Sequence, residues 1–155
     1  VFSIINLAAN FYFGKESKTD DIAVFLKKYF GKYDRYFNDE SFCKQFYIVF
    51  RHGLSHSFSP KAGSIAMDFH NNWMLKFDGT PELLPHLNIP AFYDITKKAL
   101  EDFEHDLDND KKLQTNFEIR YKHLIKVDYK EMRKLRFFFN NCANLACTTT
   151  TTTTT

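Results

Sequence analysis

Residues 50–61 read FRHGLSHSFSPK, which gathers Arg51, His52, Gly53, Ser55 and His56 directly behind the aromatic run FCKQFYIVF. Arginine is a permanent planar cation whose forked N–H donors suit bidentate contact with a phosphate. Histidine titrates near neutrality, so it can take or give a proton. These are the two tools needed to cleave RNA without a metal. An imidazole deprotonates the ribose 2′-hydroxyl or protonates the leaving oxygen, and a guanidinium stabilises the charge that builds on phosphorus. At 3.6 residues per turn, Arg51 and His56 lie about 140° apart on a continuous helix, so they converge on one ligand only where the helix is distorted or ends between them. Gly53 offers such an ending, because it relieves backbone strain and admits a phosphate at close range. Arg-x-x-x-x-His is also short enough to arise by chance, and a charge network that serves only the fold uses the same residues.

The elements that must position this stretch follow from apolar spacing. Phe2, Ile5, Leu7 to Ala9 and Phe13 predict a buried helix that the chain enters at Val1, as a fragment beginning inside its first helix would. GKESKTDD is a polar loop, after which Thr19 or Asp20 caps a second helix carrying Ile22, Phe25, Leu26 and Tyr29, with Gly31 as its stop. A third helix starts near Asp39 or Ser41, and its stripe of Phe42, Phe46, Val49 and Phe50 runs into Arg51. Beyond Pro60 the period shortens. SIAMDFH and WMLKFDG read as two strands of a hairpin over about residues 64–79, turning at Asn71 and Asn72, and the proline-rich GTPELLPHLNIP reads as a loop. From Pro90 a helix places Phe92, Ile95, Ala99, Phe103 and Leu107 on one face; DND interrupts it, and a further helix runs roughly from Lys111 to Leu124. Residues 1–126 thus form one domain, 127–147 a C-terminal extension, and 148–155 a poly-threonine tail expected to be disordered.

With these elements in place, YIVFRHGLSHSFSPK resembles the signature of the HEPN superfamily (higher eukaryotes and prokaryotes nucleotide-binding domains). That signature is an arginine, a polar residue commonly Asn, Asp or His, further variable residues and a histidine, at the end of an aromatic helix. The stretch is similar to a bacterial HEPN-like group in which an Arg-polar-Gly-Leu-x-His segment precedes Pro-Lys, and the resemblance covers about residues 20–61. It implies a mainly α fold, a HEPN-like helical bundle with a small β-hairpin insertion. It also implies a homodimer whose two Arg/His motifs face each other across a shared cleft. Arg51 would then bind and stabilise phosphate, His56 would serve as acid and base, His52 would orient or assist, and Ser55 and Lys61 would contact substrate. The implied activity is a metal-independent endoribonuclease with no cofactor, leaving a 2′,3′-cyclic phosphate and a 5′-hydroxyl, of the sort found in toxin–antitoxin or phage-defence systems with an antitoxin partner. In the subgroup silenced by nucleotidylation a tyrosine lies two residues past the histidine, and here that position is Phe58. The other reading is a non-catalytic module in which the same cluster binds a nucleotide or RNA, or only knits a dimer.

Composition constrains the alternatives. A net charge of +2 excludes a polyanion-binding surface spread over the whole molecule, so any nucleic-acid contact must be local. With 18 Phe and 8 Tyr, the expected core is aromatic. Cys43, Cys142 and Cys147 form no even disulfide set, no run is long and apolar enough to span a membrane, and no signal-peptide pattern is present, which together predict a cytoplasmic protein without membrane contact. His70, His86, His105 and His123 show no metal-ligand spacing and read as surface or satisfied side chains.

Overall fold

The computed structural model describes residues 1–52, 60, 62–79 and 84–126. The chain is mainly helical with a small three-stranded sheet. Helix α1 (Phe2–Phe13) is followed by α2 (Thr19–Phe30), a 3₁₀ turn (Arg35–Asn38) and α3 (Glu40–Phe46), which runs without a break into a π-helical segment (Tyr47–His52). Strands β1 (Ser64–Ala66), β2 (Leu75–Phe77) and β3 (Pro85–Asn88) precede the long helix α4 (Ile89–Asn109), and residues 111–126 form a last helix, α5. No helix among the described residues is long and apolar enough to cross a membrane.

Local signals account for most of the boundaries. Gly14 ends α1 in the left-handed region at φ 69°, and the N–H groups of Gly14 and Lys15 return to the carbonyls of Phe11 and Asn10. Lys18, and not Thr19 or Asp20, holds the cap position of α2, and its N–H donates to the Asp21 carboxylate at 3.0 Å. The acid three residues inside the helix therefore does the work of a capping side chain. Gly31 follows α2 as expected, yet stays right-handed at φ −59°. Asp39 caps α3 by accepting from the N–H groups of Ser41 and Phe42. Asp110 ends α4 and opens α5 by accepting from the N–H groups of Lys112 and Leu113.

The expected hairpin is overturned. β1 and β2 do not pair with each other; β3, from the segment read as a loop, lies between them, parallel to β1 and antiparallel to β2. Pro85 stands at the first position of β3, where its missing N–H costs least, so the proline count concealed a central strand. Leu87 is fully buried opposite Ile65 and Leu75. Gly63, at φ 82°, admits the second strand, since a Cβ there would collide with the Pro85 carbonyl. Fully buried Asn88 then locks the loop between β1 and β2. Its amide accepts from the Asp68 N–H at 3.0 Å and donates to the carbonyls of Asp68 at 2.8 Å and Asn71 at 3.1 Å. The sheet is part of the core, because Met74, Leu75 and Leu87 are buried with the helical residues.

The core is a mesh of rings. Phe46 has the rings of Phe37 at 4.9 Å, Phe50 at 5.1 Å, Phe92 at 5.6 Å and Phe2 at 5.9 Å, drawn from four different elements. Outside it, α2 and α4 are laced by a repeated triplet one turn apart. Lys28 and Tyr29 bind Asp106 at 2.8 and 3.1 Å, and Lys32 and Tyr33 bind Asp102, each at 2.9 Å. Hydrogen bonds from Lys28 and Lys32 hold Asp106 and Asp102, respectively, below the usual carboxylate range.

Two expectations follow. Both acids bind protons more weakly folded than unfolded, so their contribution is complete above about pH 4 and lost as pH falls further. The melting temperature should fall below that pH, and the double change Asp102→Asn, Asp106→Asn should flatten the fall. Asn88→Leu strands three backbone groups and should cost about 2–3 kcal/mol in a urea titration.

Candidate functional site

Arg51 is delivered by a helix that changes pitch. Helix α3 keeps the α-helical repeat through Phe46, and from Tyr47 the hydrogen bonding widens to the π pattern, a local distortion that occurs often at functional sites. The cause lies in what the segment must bury. Phe46, Tyr47 and Phe50 are all buried, which fixes two sides of the segment in the core, while Arg51 is left half-buried at its end. The π pattern begins four residues before Arg51, whereas the stretch between His52 and His56, where the sequence asks for a distorted or ended helix, lies outside the described residues. His52 closes the π segment. Its side chain, and Ser55, His56, Phe58 and Lys61, lie outside the described residues.

Arg51 faces a polar cavity of about 330 Å³. Helix α1 contributes Asn6, the α1–α2 loop contributes Glu16, Ser17 and Lys18, the start of α2 contributes Thr19 and Ile22, and the π segment contributes Tyr47 and Arg51. The loop is held in place from below: buried Asn10 accepts the Ser17 N–H at 2.6 Å. Lys15 pairs with Asp21 at 2.9 Å. Burial opposes the ionisation of Asp21, but the Lys18 N–H and the Lys15 ammonium outweigh it and hold the carboxyl below its ordinary value. Asp21 is thus neutralised by Lys15. Lys18 makes no ion pair among the described residues, so the cavity has two cations, Lys18 and Arg51, against the single carboxylate of Glu16. Burial raises the Tyr47 phenol above its usual value, and Arg51, within hydrogen-bonding reach of the hydroxyl, opposes that rise. Tyr47 therefore remains protonated at neutral pH. Two oxygens on the lining residues, Asn6 Oδ1 and Ser17 Oγ, are buried without a hydrogen-bond partner.

Neither Tyr47, Asn6, Ser17 nor Lys18 was singled out by the motif. Tyr47 carries the one available signal, an aromatic hydroxyl four residues before the arginine and so on its side of a helix. Asn6 and Ser17 meet the motif only through the packing of α1 and α2. The histidines outside the motif read as expected where they are described. His86 hydrogen-bonds Ser64 across the β1–β3 pair at 2.6 Å, with Asp78 at 3.8 Å, and His123 lies beside Arg120. No metal-binding group of residues is found among the described residues. Cys43 is a buried core residue whose thiol, pushed up to about 12 by burial, donates to the Phe37 carbonyl. Phe50 is buried in the core. Comparison of the chain with family models, curated proteins and solved structures finds no match.

The Tyr47–Arg51 contact has a spectroscopic consequence. Arg51→Gln removes the charge that favours the phenolate, so the Tyr47 phenol, already above its usual range, should titrate higher still. Tyrosine-labelled carbon NMR would follow it; an unchanged or lowered titration would place Arg51 away from Tyr47.

Proposed function

We propose that the chain is a metal-independent endoribonuclease of the HEPN type, acting as a homodimer with paired Arg51/His56 motifs. The observation that carries the reading is the placement of Arg51: a half-buried residue at the end of a π-distorted helix, facing a donor-rich cavity and followed by His52 and the Gly-Leu-x-His sequence. In this reading a His56 imidazole takes the proton of the ribose 2′-hydroxyl. The freed oxygen attacks the adjacent phosphorus, and the bond to the 5′-oxygen breaks. A protonated imidazole, supplied by the second protomer, returns a proton to that leaving oxygen. Arg51 bears the negative charge that accumulates on the non-bridging oxygens. His52 orients the pair, and Ser55 and Lys61 hold the RNA backbone. A role in a toxin–antitoxin or defence system accords with such a nuclease.

The test uses four proteins, wild type, Arg51→Lys, His56→Ala and His52→Asn, assayed for RNA cleavage in EDTA and for melting. His56→Ala should lose about 10²–10⁴ in rate with melting unchanged. Arg51→Lys should fail too, because lysine keeps the charge without the planar fork. His52→Asn should be mild. Light scattering should return a dimer of the 18.3 kDa chain. A wild type that binds RNA but never cuts it would move the assignment to a non-catalytic binding module.

A further inference from the structure

We infer that the cavity beside Arg51 is a ribonucleotide subsite that holds one phosphate and reads the neighbouring 2′-hydroxyl through Asn6. The inference rests on the Arg51 reading above and adds the residues that would select a ribonucleotide. The cavity, at about 330 Å³, has room for a single nucleotide's phosphate and sugar. Its charged residues favour an anion: Arg51 and Lys18 face it, the nearby Asp21 is committed to Lys15, and Glu16 is the single opposing carboxylate among the lining residues.

The unpaired oxygens carry the selectivity. A buried polar atom without a partner costs about 1–3 kcal/mol, and a fold that keeps two at one cavity wall sacrifices stability there. An amide oxygen only accepts, so Asn6 Oδ1 calls for a donor, which an RNA phosphodiester lacks and a ribose hydroxyl supplies. Ser17 Oγ donates as well as accepts, which suits a phosphate oxygen. In this proposal each oxygen reaches the ligand by rotation of its side chain, since both residues line the cavity. Arg51 and Lys18 complete a set of donors for the phosphate. The 2′-hydroxyl is the group by which a protein separates RNA from DNA.

Three probes test this by NMR titration of the full chain: inorganic phosphate, uridine 3′-monophosphate and its 2′-deoxy counterpart. The ribonucleotide should bind about 5–10-fold more tightly than the deoxynucleotide, the worth of one hydrogen bond. Asn6→Leu should abolish that ratio while leaving phosphate binding intact. Arg51→Lys and Ser17→Ala should weaken all three probes. In the unliganded protein Asn6→Leu and Ser17→Ala should melt at the same or a higher temperature than wild type, because each removes an orphaned oxygen; a purely structural role predicts a loss. Equal affinity for ribo- and deoxynucleotide, or an undiminished ratio in Asn6→Leu, would overturn the subsite even if the protein cleaves RNA. A ribonucleotide preference that depends on Asn6, in a protein that never cleaves, would uphold the subsite and remove the nuclease.

Discussion

The burial of Phe46 is the constraint on which the rest depends. Its ring is the meeting point of α1, the 3₁₀ turn, the π segment and α4, through Phe2, Phe37, Phe50 and Phe92. A side chain held from that many directions cannot rotate out, so the axis of α3 is fixed where it changes to the π pattern. Tyr47 and Phe50 must then be buried as well, and the wider turn is the backbone's accommodation of consecutive large rings on adjacent sides. Arg51 emerges where this burial ends. The position of the guanidinium is thus set by aromatic packing several residues upstream, with no salt bridge to it among the described residues.

The sheet completes that clamp from the other side. Leu75, Phe77 and Pro85 face Phe42, Phe46, Val49 and Phe50 across an almost wholly apolar cavity of about 220 Å³. Asn88 keeps the strands aligned by binding three backbone groups that would otherwise be left without partners. Met67 and Phe69 stay exposed on the loop that Asn88 secures. The paired Lys-Tyr-Asp triplets act at the opposite boundary, where they hold α2 to α4. Because α2 also carries Thr19 and Ile22 to the cavity, that lacing extends to the candidate site.

Stability and function are in tension at the cavity. Elsewhere many polar groups are satisfied by side chains: Asp34, Asp39 and Asp110 cap turns and helices, and Asn10 and Asn88 bind backbone groups, although Arg120 Nε is also buried without a partner. Beside Arg51, Asn6 and Ser17 keep oxygens unpaired. The cavity is set apart by having two such oxygens on its lining residues.

The sequence by itself determined the helices, since apolar residues at three- and four-residue spacing can be buried together in only one way, and Asp39, Pro90 and Gly14 mark their ends at close range. It also located Arg51 at the end of the buried stripe, because a cation directly behind an aromatic stripe has to emerge where the stripe ends. The sheet was only half legible: strand-forming residues are visible in β1 and β2, but the choice of β3 as their shared neighbour depends on a parallel pairing that local sequence does not encode. Gly63 and Pro85 make that pairing sterically possible, yet neither announces it. The π segment and the cavity were decided by tertiary structure alone. Asn6, Ser17 and Arg51 are distant in the chain, and they come together only because the rings of α1, α3 and α4 close on one core.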